Sequence, residues 1–578
     1  MERRVLFAVF LCFLVLYLWQ ALVVKPVPAP TQGVAPKTAP AAVAPPATTE
    51  AESSPPETQE PPSPSATALV AESTERDIRV ETDDVIAVFT NRGARLKSWR
   101  LKKYLDGAKQ PQELVEKEAL ALKQPLPFTL KTADPQMNLT LTDALYAVSG
   151  QPPGDGVVSS RTDLRFEFRD SAGVHAVKEF QIEPSSYIVT VRATVSSGDQ
   201  VLPAALVWGP AVGDRLKAST LVQGAQGIYF EAGGEDPVRL TASAIAKQPM
   251  AEGNFRYAGV DDNYFMTAAL DTGQSRITFQ PVTIPAAPNT SEAARELVSF
   301  TLERQASGDA LKVFVGPKAL DVLTAIDREF ANAIHFGRFA IIVVPLLQSL
   351  KWLHGFVGNW GWAIVILTII INVVMAPLRH KQVVSMRKMQ EIQPEMKAIQ
   401  DRYSKLKATD PAKQKMNQEL MALYRERGAN PAAGCVPMLL IIPIMIAMWA
   451  ALQVSIELRG APWVGWISDL SAPDPYYVLP VLMVATQFWQ QKMAPMTGAD
   501  PAQQKMMLFM PLVMGFIFFS LPSGALLYYV AGTLIGIGQQ YLTNYLIGPP
   551  NVRTVRPPAE RRVKRVGGGK TEAASREK

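Results

Sequence analysis

The pattern of apolar and polar positions divides the chain into regions of three kinds. Residues 5–24 are predominantly apolar, and a helix of about 20 such residues crosses the hydrocarbon core of a bilayer. Residues 78–320 repeatedly alternate apolar and polar residues, as in LRFEFR at 164–169, which predicts strands with one buried face. Beyond residue 351 the chain contains long stretches without Asp, Glu, Lys or Arg, namely 352–378, 428–456, 475–491 and 506–552.

This pattern predicts a membrane protein: an α-helical bundle of six transmembrane helices with a large periplasmic antiparallel β-sandwich domain. Each of the first three uncharged stretches has room for one span. The fourth has room for two, and the sequence LPSG at 521–524 supplies a turn in its middle. The N-terminal stretch adds an uncleaved anchor, because it is too long for the apolar part of a signal peptide and Pro-rich sequence follows it.

The predicted organisation runs from this anchor to a basic tail. Residues 1–25 are the N-terminal transmembrane anchor, and 26–77 form a Pro-rich disordered linker with 12 prolines between Pro26 and Pro64. The β-sandwich covers 78–320 and precedes an amphipathic interfacial helix at 321–353, for which a buried helix of the soluble domain is the alternative. The remaining segments are TM2 (354–378), a cytoplasmic helical hairpin (379–427), TM3 (428–456), a periplasmic loop (457–474), TM4 (475–491), a cytoplasmic loop (492–505), TM5 (506–521), TM6 (523–548) and a basic cytoplasmic tail (549–578).

The distribution of lysine and arginine orients this topology. Loop 379–427 holds 12 basic and 6 acidic residues and tail 549–578 holds 9 and 3, whereas loop 457–474 has one arginine and three acidic residues. By the positive-inside rule, both termini and the loops 379–427 and 492–505 lie in the cytoplasm. The β-sandwich then lies outside, which in a bacterium means the periplasm beyond the inner membrane. The net charge of +6 conceals this difference between the two sides.

The composition also argues against two kinds of site. The two cysteines, Cys12 and Cys435, lie far apart in apolar surroundings, so no disulfide framework is expected. The four histidines do not have the spacing of zinc ligands. We therefore expect no metal site and no cofactor.

Several short motifs follow one another between about residues 350 and 548. They are NPAAGCVP (430–437), ELRGAPW (457–463), WISDLS (466–471), DPYYVLP (474–480), DPAQQKM (500–506), LPSG (521–524) and LYY (527–529). In this order they resemble the YidC membrane-protein insertases of the YidC/Oxa/Alb family. The anchor, linker and β domain resemble the Gram-negative members of the family more loosely.

The resemblance implies an insertase with no enzymatic activity, in which five helices enclose a polar groove open to cytoplasm and lipid. Such a groove moves short polar tails across and releases new transmembrane helices into the inner membrane, alone or with the Sec translocon. A charged side chain costs about 2.5–3.5 kcal/mol at the centre of a spanning helix, so a hydrated groove shortens the costly path. The implied partners are nascent membrane proteins, the ribosome, the Sec translocon and membrane lipids.

The sequence departs from the family inside this groove. Family members usually carry an arginine or lysine midway along the first span of the bundle, and the matching residue here is Asn372. A family glutamine corresponds to Ile441, and a Ser-Asn pair corresponds to Gly532 and Thr533. The groove is therefore predicted to be less polar and to lack its central cation.

Arg379 lies two helical turns beyond Asn372 and so shares its helix face. We hypothesise that Arg379, with Asn372 and Thr368 on one stripe, takes over the electrostatic role from a shallower depth. Tyr528 and Tyr529 of the last motif complete the predicted groove. The alternative is that Arg379 simply obeys the positive-inside rule.

Two further sets of residues are predicted to contact partners. Sixteen of the 20 methionines lie between Met375 and Met514, and flexible methionine suits surfaces that accept many apolar partners. For each residue predicted below to contact an incoming helix, ordinary packing within the bundle is the alternative. Contacts to the incoming helix are predicted for Pro437, Ile444, Met448, Met510, Pro511 and Met514, and contacts to ribosomal RNA or anionic lipid for Arg561, Arg562, Lys564 and Arg565.

Two other classes of function fit parts of the sequence. A secondary transporter would normally carry paired titratable groups within its spans, and the uncharged stretches contain none. The other class is a periplasmic carbohydrate-binding or membrane-anchored sugar-active protein, because the family's β domain resembles sugar mutarotases, although a fold does not establish an activity. His175 is the one histidine within 78–320, and we expect a satisfied strand residue there rather than a general base.

Overall fold

A computed structural model describes residues 67–116, 118, 122, 124–150, 157–210, 224–285, 294–305, 308–403, 412–428, 436–493 and 501–548. The chain divides into two compact units, Met1–Ser65 and Ala66–Lys578, and every described residue belongs to the second. The predicted anchor, the predicted linker up to residue 66 and the predicted basic tail lie outside the described residues.

The first part of the second unit consists mainly of strands. These are β1 (Ala68–Val70), β2 (Asp77–Glu81), β3 (Val85–Thr90), β4 (Arg95–Leu105), β5 (Pro111–Glu113), β6 (Thr129–Lys131), β7 (Ala147–Ser149), β8 (Thr162–Asp170), β9 (Val174–Ile182), β10 (Ile188–Ser197), β11 (Gln200–Leu202), β12 (Ala205–Trp208), β13 (Gln226–Glu231), β14 (Val238–Leu240), β15 (Met250–Asp261), β16 (Phe265–Ile284), β17 (Arg295–Arg304) and β18 (Leu311–Pro317). Three short helices accompany them: α1 (Pro135–Asp143), α2 (Ala242–Ile245) and α3 (Leu320–Ile326).

The strands form two antiparallel sheets. The larger is fourteen-stranded, with the main order β1-β8-β9-β10-β18-β16-β15-β13-β14, and the smaller has the order β2-β3-β4-β5. Strands β8 and β9 illustrate the register, in which Phe166 faces Lys178 and Leu164 faces Phe180. An antiparallel β domain is therefore confirmed, with its strands running from Ala68 to Pro317.

The two sheets pack face to face over a shared apolar core. The alternation predicted at 164–169 is present, because Leu164, Phe166 and Phe168 are buried. Phe89 of the smaller sheet lies with its ring centroid 4.9 Å from that of Phe180 in the larger. Burial of such large side chains supplies the main driving force for folding of this domain.

A buried lysine links the two sheets. The Lys178 side chain lies in the interior of the β domain, and its Nζ donates to the carbonyl oxygens of Gly93 (2.7 Å), Ala94 (3.0 Å) and Phe128 (2.7 Å). Three acceptors match the three donors of an ammonium group, so the polar end of this side chain is fully hydrogen-bonded.

The second part of the unit is helical. Its helices are α4 (Ala340–Val357), α5 (Trp360–Glu391), α6 (Gln393–Arg402), α7 (Ala412–Glu426), α8 (Val436–Val454), α9 (Val478–Met493), α10 (Pro501–Phe518) and α11 (Ser523–Ile547). Among the described residues, α4 and α5 are long and apolar enough to cross a membrane, and Ile441–Val454 within α8 is a shorter apolar segment. These helices support a membrane protein, whereas the number of six spans rests on the sequence.

The segment predicted as one interfacial helix at 321–353 is divided. It contains α3, two short 3₁₀ turns at Glu329–Ala333 and Gly337–Phe339, and then α4, which continues to Val357. One face of α4 is buried and includes Val343 and Leu347, whereas Ile341 and Phe356 on the other side are 85% and 73% exposed. Both faces of α4 are thus apolar, and its exposed face suits contact with lipid.

Helices α5, α8, α9 and α11 share a second apolar core, to which Ile364, Met448, Met483 and Leu526 contribute. Helix α10 packs closely on α9 at Gly515, where a methyl group would lie 2.8 Å from a methyl carbon of Val484. These four helices therefore share one interior with Leu350 and Leu353 of α4, and α10 packs on α9.

Helices α6 and α7 form a separate small unit. Ile392, Met396, Ile399 and Leu423 are buried between them. An ion pair between Arg427 Nη2 and Glu395 Oε1 (2.8 Å) joins their ends. Within the predicted hairpin at 379–427, α5 continues to Glu391 before α6 begins, and residues 404–411 lie outside the described part of the chain.

The β domain contacts the segment between α8 and α9 through Arg459. The two terminal nitrogens of Arg459 donate to Leu105 O and to Gln112 Oε1, both at 2.7 Å. The guanidinium carbon also lies 5.3 Å from the centre of the Phe265 ring, which adds a cation–π contact.

Three further polar contacts lie beside this one. Asn263 Nδ2 donates to Gln453 O at the end of α8 (3.1 Å). Lys351 Nζ of α4 contacts Glu457 Oε1 (2.5 Å) and Asp321 Oδ1 of α3 (3.0 Å). The end of the bundle formed by residues 453–459 therefore lies against the β domain.

Candidate substrate groove

A stripe of residues on α5 forms one side of the candidate groove. Asn359 begins this helix, because its Oδ1 accepts from the backbone N–H of Trp362 at 3.1 Å. Thr368, Asn372 and Arg379 follow at separations of four and seven residues, which places them on one face. Thr368 and Asn372 are buried, and Arg379 is half-buried.

The polar atoms of this stripe bond mainly to their own helix. Thr368 Oγ1 donates to Ile364 O, and Asn372 Nδ2 donates to Thr368 O, each at 2.7 Å. Asn372 is 5% exposed, and its Oδ1 is buried without a hydrogen-bond partner among the described residues. An unpaired buried acceptor is unusual and costly, so this oxygen is a candidate for contact with a substrate.

Arg379 is positioned from α11. Its Nη1 lies 3.4 Å from Gln539 Oε1, and Gln539 Nε2 donates to the backbone oxygen of Asn372 at 2.9 Å. Gly536 leaves room for the guanidinium, because a methyl group there would lie 2.9 Å from Arg379 Nη1 and 2.8 Å from Gln490 Nε2. Gln539 thus contacts α5 both at Arg379 and at Asn372.

Two adjoining cavities lie between α5, α8, α9 and α11. The first, of about 280 Å³, is lined by Ile371, Asn372, Met375, Arg379, Ile441, Ile444, Met445, Gln487, Gln490, Tyr528, Tyr529, Gly532 and Thr533. The second, of about 600 Å³, shares Arg379, Ile441 and Gln490 with the first. It is further lined by Ala376, Pro377, His380, Lys381, Gln382, Val383, Gly536, Gln539, Gln540, Leu542, Thr543 and Leu546. Together these cavities are the groove.

The lining of the groove mixes apolar side chains with amides and hydroxyls and carries positive charge. Arg379 and Lys381 are its permanent cations, and neither described lining contains Asp or Glu. No group of His, Cys, Asp and Glu that could hold a metal ion occurs among the described residues. The arrangement can bind and orient polar or acidic segments.

The structure brings most of the predicted groove residues together. Asn372, Arg379, Tyr528 and Tyr529 line the first cavity. Thr368 precedes Asn372 by one helical turn, on the side of the β domain, and does not line the cavity. The three departures from the family, Ile441, Gly532 and Thr533, all lie in the lining as well.

The residues predicted to contact an incoming helix are distributed differently. Ile444 lines the first cavity, whereas Met448 is fully buried in the core of the bundle. On α10, Met510 is 56% exposed and Pro511 is buried. Only the backbone is described at Pro437 and Met514. The predicted tail residues, Arg561, Arg562, Lys564 and Arg565, lie outside the described part of the chain.

Among the groove residues that sequence reasoning missed are Gln487, Gln490, Gln539 and Gly536. The three glutamines occur inside stretches without Asp, Glu, Lys or Arg. Polar side chains within membrane spans tend to face the interior of the bundle. That signal could have identified the glutamines. Gly536 has no such signal, because its role depends on which side chains lie beside it.

The alternative function, a carbohydrate-binding or sugar-active protein, would require a site in the β domain. His175 lies on β9 and its Nε2 is 3.0 Å from Glu167 Oε1, a contact that holds the pKa of the Glu167 carboxyl below its usual range. A cavity of about 590 Å³ in this domain is lined by charged residues that include Arg276 and Arg304, and His175 is not part of that lining. His175 is therefore paired within its sheet.

Two family models match the chain. The model described as "60Kd inner membrane protein" matches residues 352–548, which contain the groove. The model described as "YidC periplasmic domain" matches residues 77–349, which contain the two sheets.

Individual proteins agree with these matches. The membrane protein insertase YidC of Syntrophus aciditrophicus is 31% identical over 94% of this chain and 99% of that protein. The membrane protein insertase YidC of Geobacter metallireducens is 34% identical over 94% of this chain and 98% of that protein. A crystal structure of an active YidC insertase covers 83% of this chain and 95% of its own, at 20% identity and a TM-score of 0.34. Because the two relatives named above are more than 30% identical to it over nearly their whole length, the chain belongs to the YidC family of membrane protein insertases.

Proposed function

We propose that this chain inserts newly made membrane proteins into the bacterial inner membrane. A short polar tail enters the groove, crosses the remaining hydrocarbon, and leaves the apolar helix that follows it to partition into lipid. The observation that carries the proposal is the groove itself, whose described lining combines Arg379 with amides and contains no acidic residue. Membership of the insertase family supports the activity.

The proposed topology has six spans, with both termini in the cytoplasm and the β domain in the periplasm. The excess of basic residues in 379–427 and 549–578 supports this orientation. The contacts of Arg459 and Gln453 with the β domain support it as well, because they bring the 457–474 loop to the same end as that domain. Arg379 then lies towards the cytoplasmic mouth of the groove.

Arg379 is proposed to attract acidic tail residues at this mouth. Replacing Arg379 by Ala removes the cation that faces both cavities. We expect insertion of substrates with acidic tails to fall about tenfold, the scale of one lost interaction with a charged group, while substrates with neutral tails are inserted normally. Protease protection of newly made substrate in cells that depend on the variant measures both.

Lys388→Ala is the matched control. Lys388 lies further along α5, is exposed, and contributes the same charge to the cytoplasmic side. If Arg379 acts only through the positive-inside rule, both variants behave alike. Wild-type insertion of acidic-tailed substrates by Arg379→Ala would therefore refute its role in the groove.

Release into lipid is proposed to occur beside α8 and α10. Ile444 lines the cavity and Met510 is exposed, so apolar contacts are available both within and outside the groove. Burial of Met448 supports a role in packing until the bundle opens.

The basic tail is proposed to bind the ribosome, and anionic lipid is the competing ligand because both carry phosphates. Residues 549–578 carry nine basic and three acidic residues. Site-specific crosslinking from position 562, with and without ribosomes, distinguishes the two ligands. Crosslinks to lipid alone would contradict ribosome binding by the tail.

The Sec translocon is a further proposed partner. Insertion into vesicles with and without added Sec translocon shows whether it is needed.

A further inference from the structure

We propose that the deep end of the groove selects translocated tails by the direction of their hydrogen bonds. At the level of Asn372 it offers acceptors, so it favours a tail residue that donates, such as one with a hydroxyl or amide group, over one that only accepts. This inference rests on the proposed insertase function and adds a substrate preference to it.

The orientation of the Asn372 amide is fixed by its neighbour. Nδ2 donates to Thr368 O, and a rotated amide would place two acceptor oxygens against each other. Oδ1 is therefore the atom left over, and it is buried without a partner among the described residues. Asn372 lines the 280 Å³ cavity, so a donor that enters this space can satisfy the oxygen.

Thr533 on α11 has the same bias. Its hydroxyl donates its one hydrogen to Tyr529 O at 2.8 Å, which leaves only acceptor capacity towards the cavity that it lines. The hydroxyls of Tyr528 and Tyr529 and the amides of Gln487 and Gln490, which line the same cavity, can each donate or accept and so do not set a direction. The deep end thus presents oxygen acceptors from two helices.

The shallow end presents donors. Arg379 lies seven residues along α5 from Asn372, about 10 Å nearer the proposed cytoplasmic mouth. Carboxylates of a tail therefore find a cation at the mouth, whereas Asn372 Oδ1 and Thr533 Oγ1 at the deep end cannot donate to them. A substrate suited to this groove carries acidic residues where they remain near Arg379 and hydroxyl or amide residues where it reaches deeper.

The test compares two nearly isosteric tail residues, threonine and valine, which differ in the hydroxyl donor. Purified full-length protein is reconstituted in vesicles. A single-span substrate carries Thr or Val at one scanned position of its translocated tail, and protease protection gives the initial rate of insertion. The protein is wild type, Asn372→Thr or Asn372→Val.

We expect the ratio of Thr-tail to Val-tail rates to be about three- to ten-fold higher for wild type than for Asn372→Val at one or more tail positions, the effect of one net hydrogen bond. Asn372→Thr should retain the wild-type ratio, because its hydroxyl donates to Thr368 O as that of Thr368 does to Ile364 O. These two variants are themselves nearly isosteric, so a general folding defect affects both.

The inference is wrong if the ratio is the same for wild type and Asn372→Val at every tail position, or if Asn372→Thr behaves as Asn372→Val does. Failure of the proposed function has a different signature: wild-type protein would then insert neither tail faster than vesicles without protein.

Discussion

Single residues set the depth at which this groove carries its charge. A cation at the middle of a span is expensive, at about 2.5–3.5 kcal/mol, unless a groove hydrates it. With Asn372 at that level and Arg379 two turns along, the charge lies where α5 approaches its charged continuation. Gln539 bonds to both levels, so the position of the guanidinium depends on α11.

Gly536→Ala tests that dependence. A methyl group at Gly536 would lie within 3 Å of Arg379 Nη1 and of Gln490 Nε2, so the flexible ends of both side chains must move. We expect insertion of acidic-tailed substrates to fall about threefold, a modest effect because the charge is displaced and not removed. Protease protection with acidic and neutral tails measures the loss.

Gly538→Ala provides the control. It lies two residues along the same helix, has open space around its Cα, and receives the same gain of about 0.5–1 kcal/mol in helix propensity. Equal effects of the two substitutions would contradict a role for the space at Gly536.

At the scale of elements, the sequence predicted the kind of each segment better than its ends. Alternation identified the β domain because each strand buries one face, as β8 does. The ends of the predicted membrane helices were taken from the ends of the uncharged stretches. Those ends indicate where a chain leaves the hydrocarbon, but a helix can continue past them. Helix α5 therefore continues from the predicted end at residue 378 to Glu391, because nothing in its charged continuation breaks a helix before Ile392.

Without the family resemblance, which supplied Ile444, Tyr528 and Tyr529, the candidate site was predictable only along one helix. Spacing places Asn372 and Arg379 on one face of α5 whatever surrounds it. The partners across the groove, Gln490, Gln539 and Gly536, lie more than 100 residues away, and their contacts depend on how α9 and α11 pack. Tertiary contacts of this kind carry no local signal in a single sequence.

At the scale of the whole molecule, the β domain and the bundle are joined by charged and polar contacts. Arg459→Ala removes two hydrogen bonds of 2.7 Å and the contact with Phe265. We expect backbone amides of 456–470 to exchange with solvent about tenfold or more faster, the scale of one lost hydrogen bond of a charged group. Hydrogen exchange followed by mass spectrometry on the full-length protein in lipid discs measures the rate.

Arg276→Ala is the reference for this measurement, since the Arg276 side chain pairs with Glu252 at the surface of the β domain. Exchange in 456–470 should match wild type in that variant. Unchanged exchange in Arg459→Ala would mean that the loop keeps its structure without the Arg459 contacts.

The contact between Arg459 and Leu105 joins residues 354 positions apart, which has a consequence for biosynthesis. Chains grow at about 5–20 residues per second and their N-terminal domains generally fold first. The ribosome therefore completes the β domain, whose last strand ends at Pro317, about 7–28 s before it reaches Arg459. By then the β domain is folded and presents Leu105, Gln112 and Phe265 at its surface. The 453–459 segment therefore docks onto a preformed surface while the last helices of the bundle are still being synthesised.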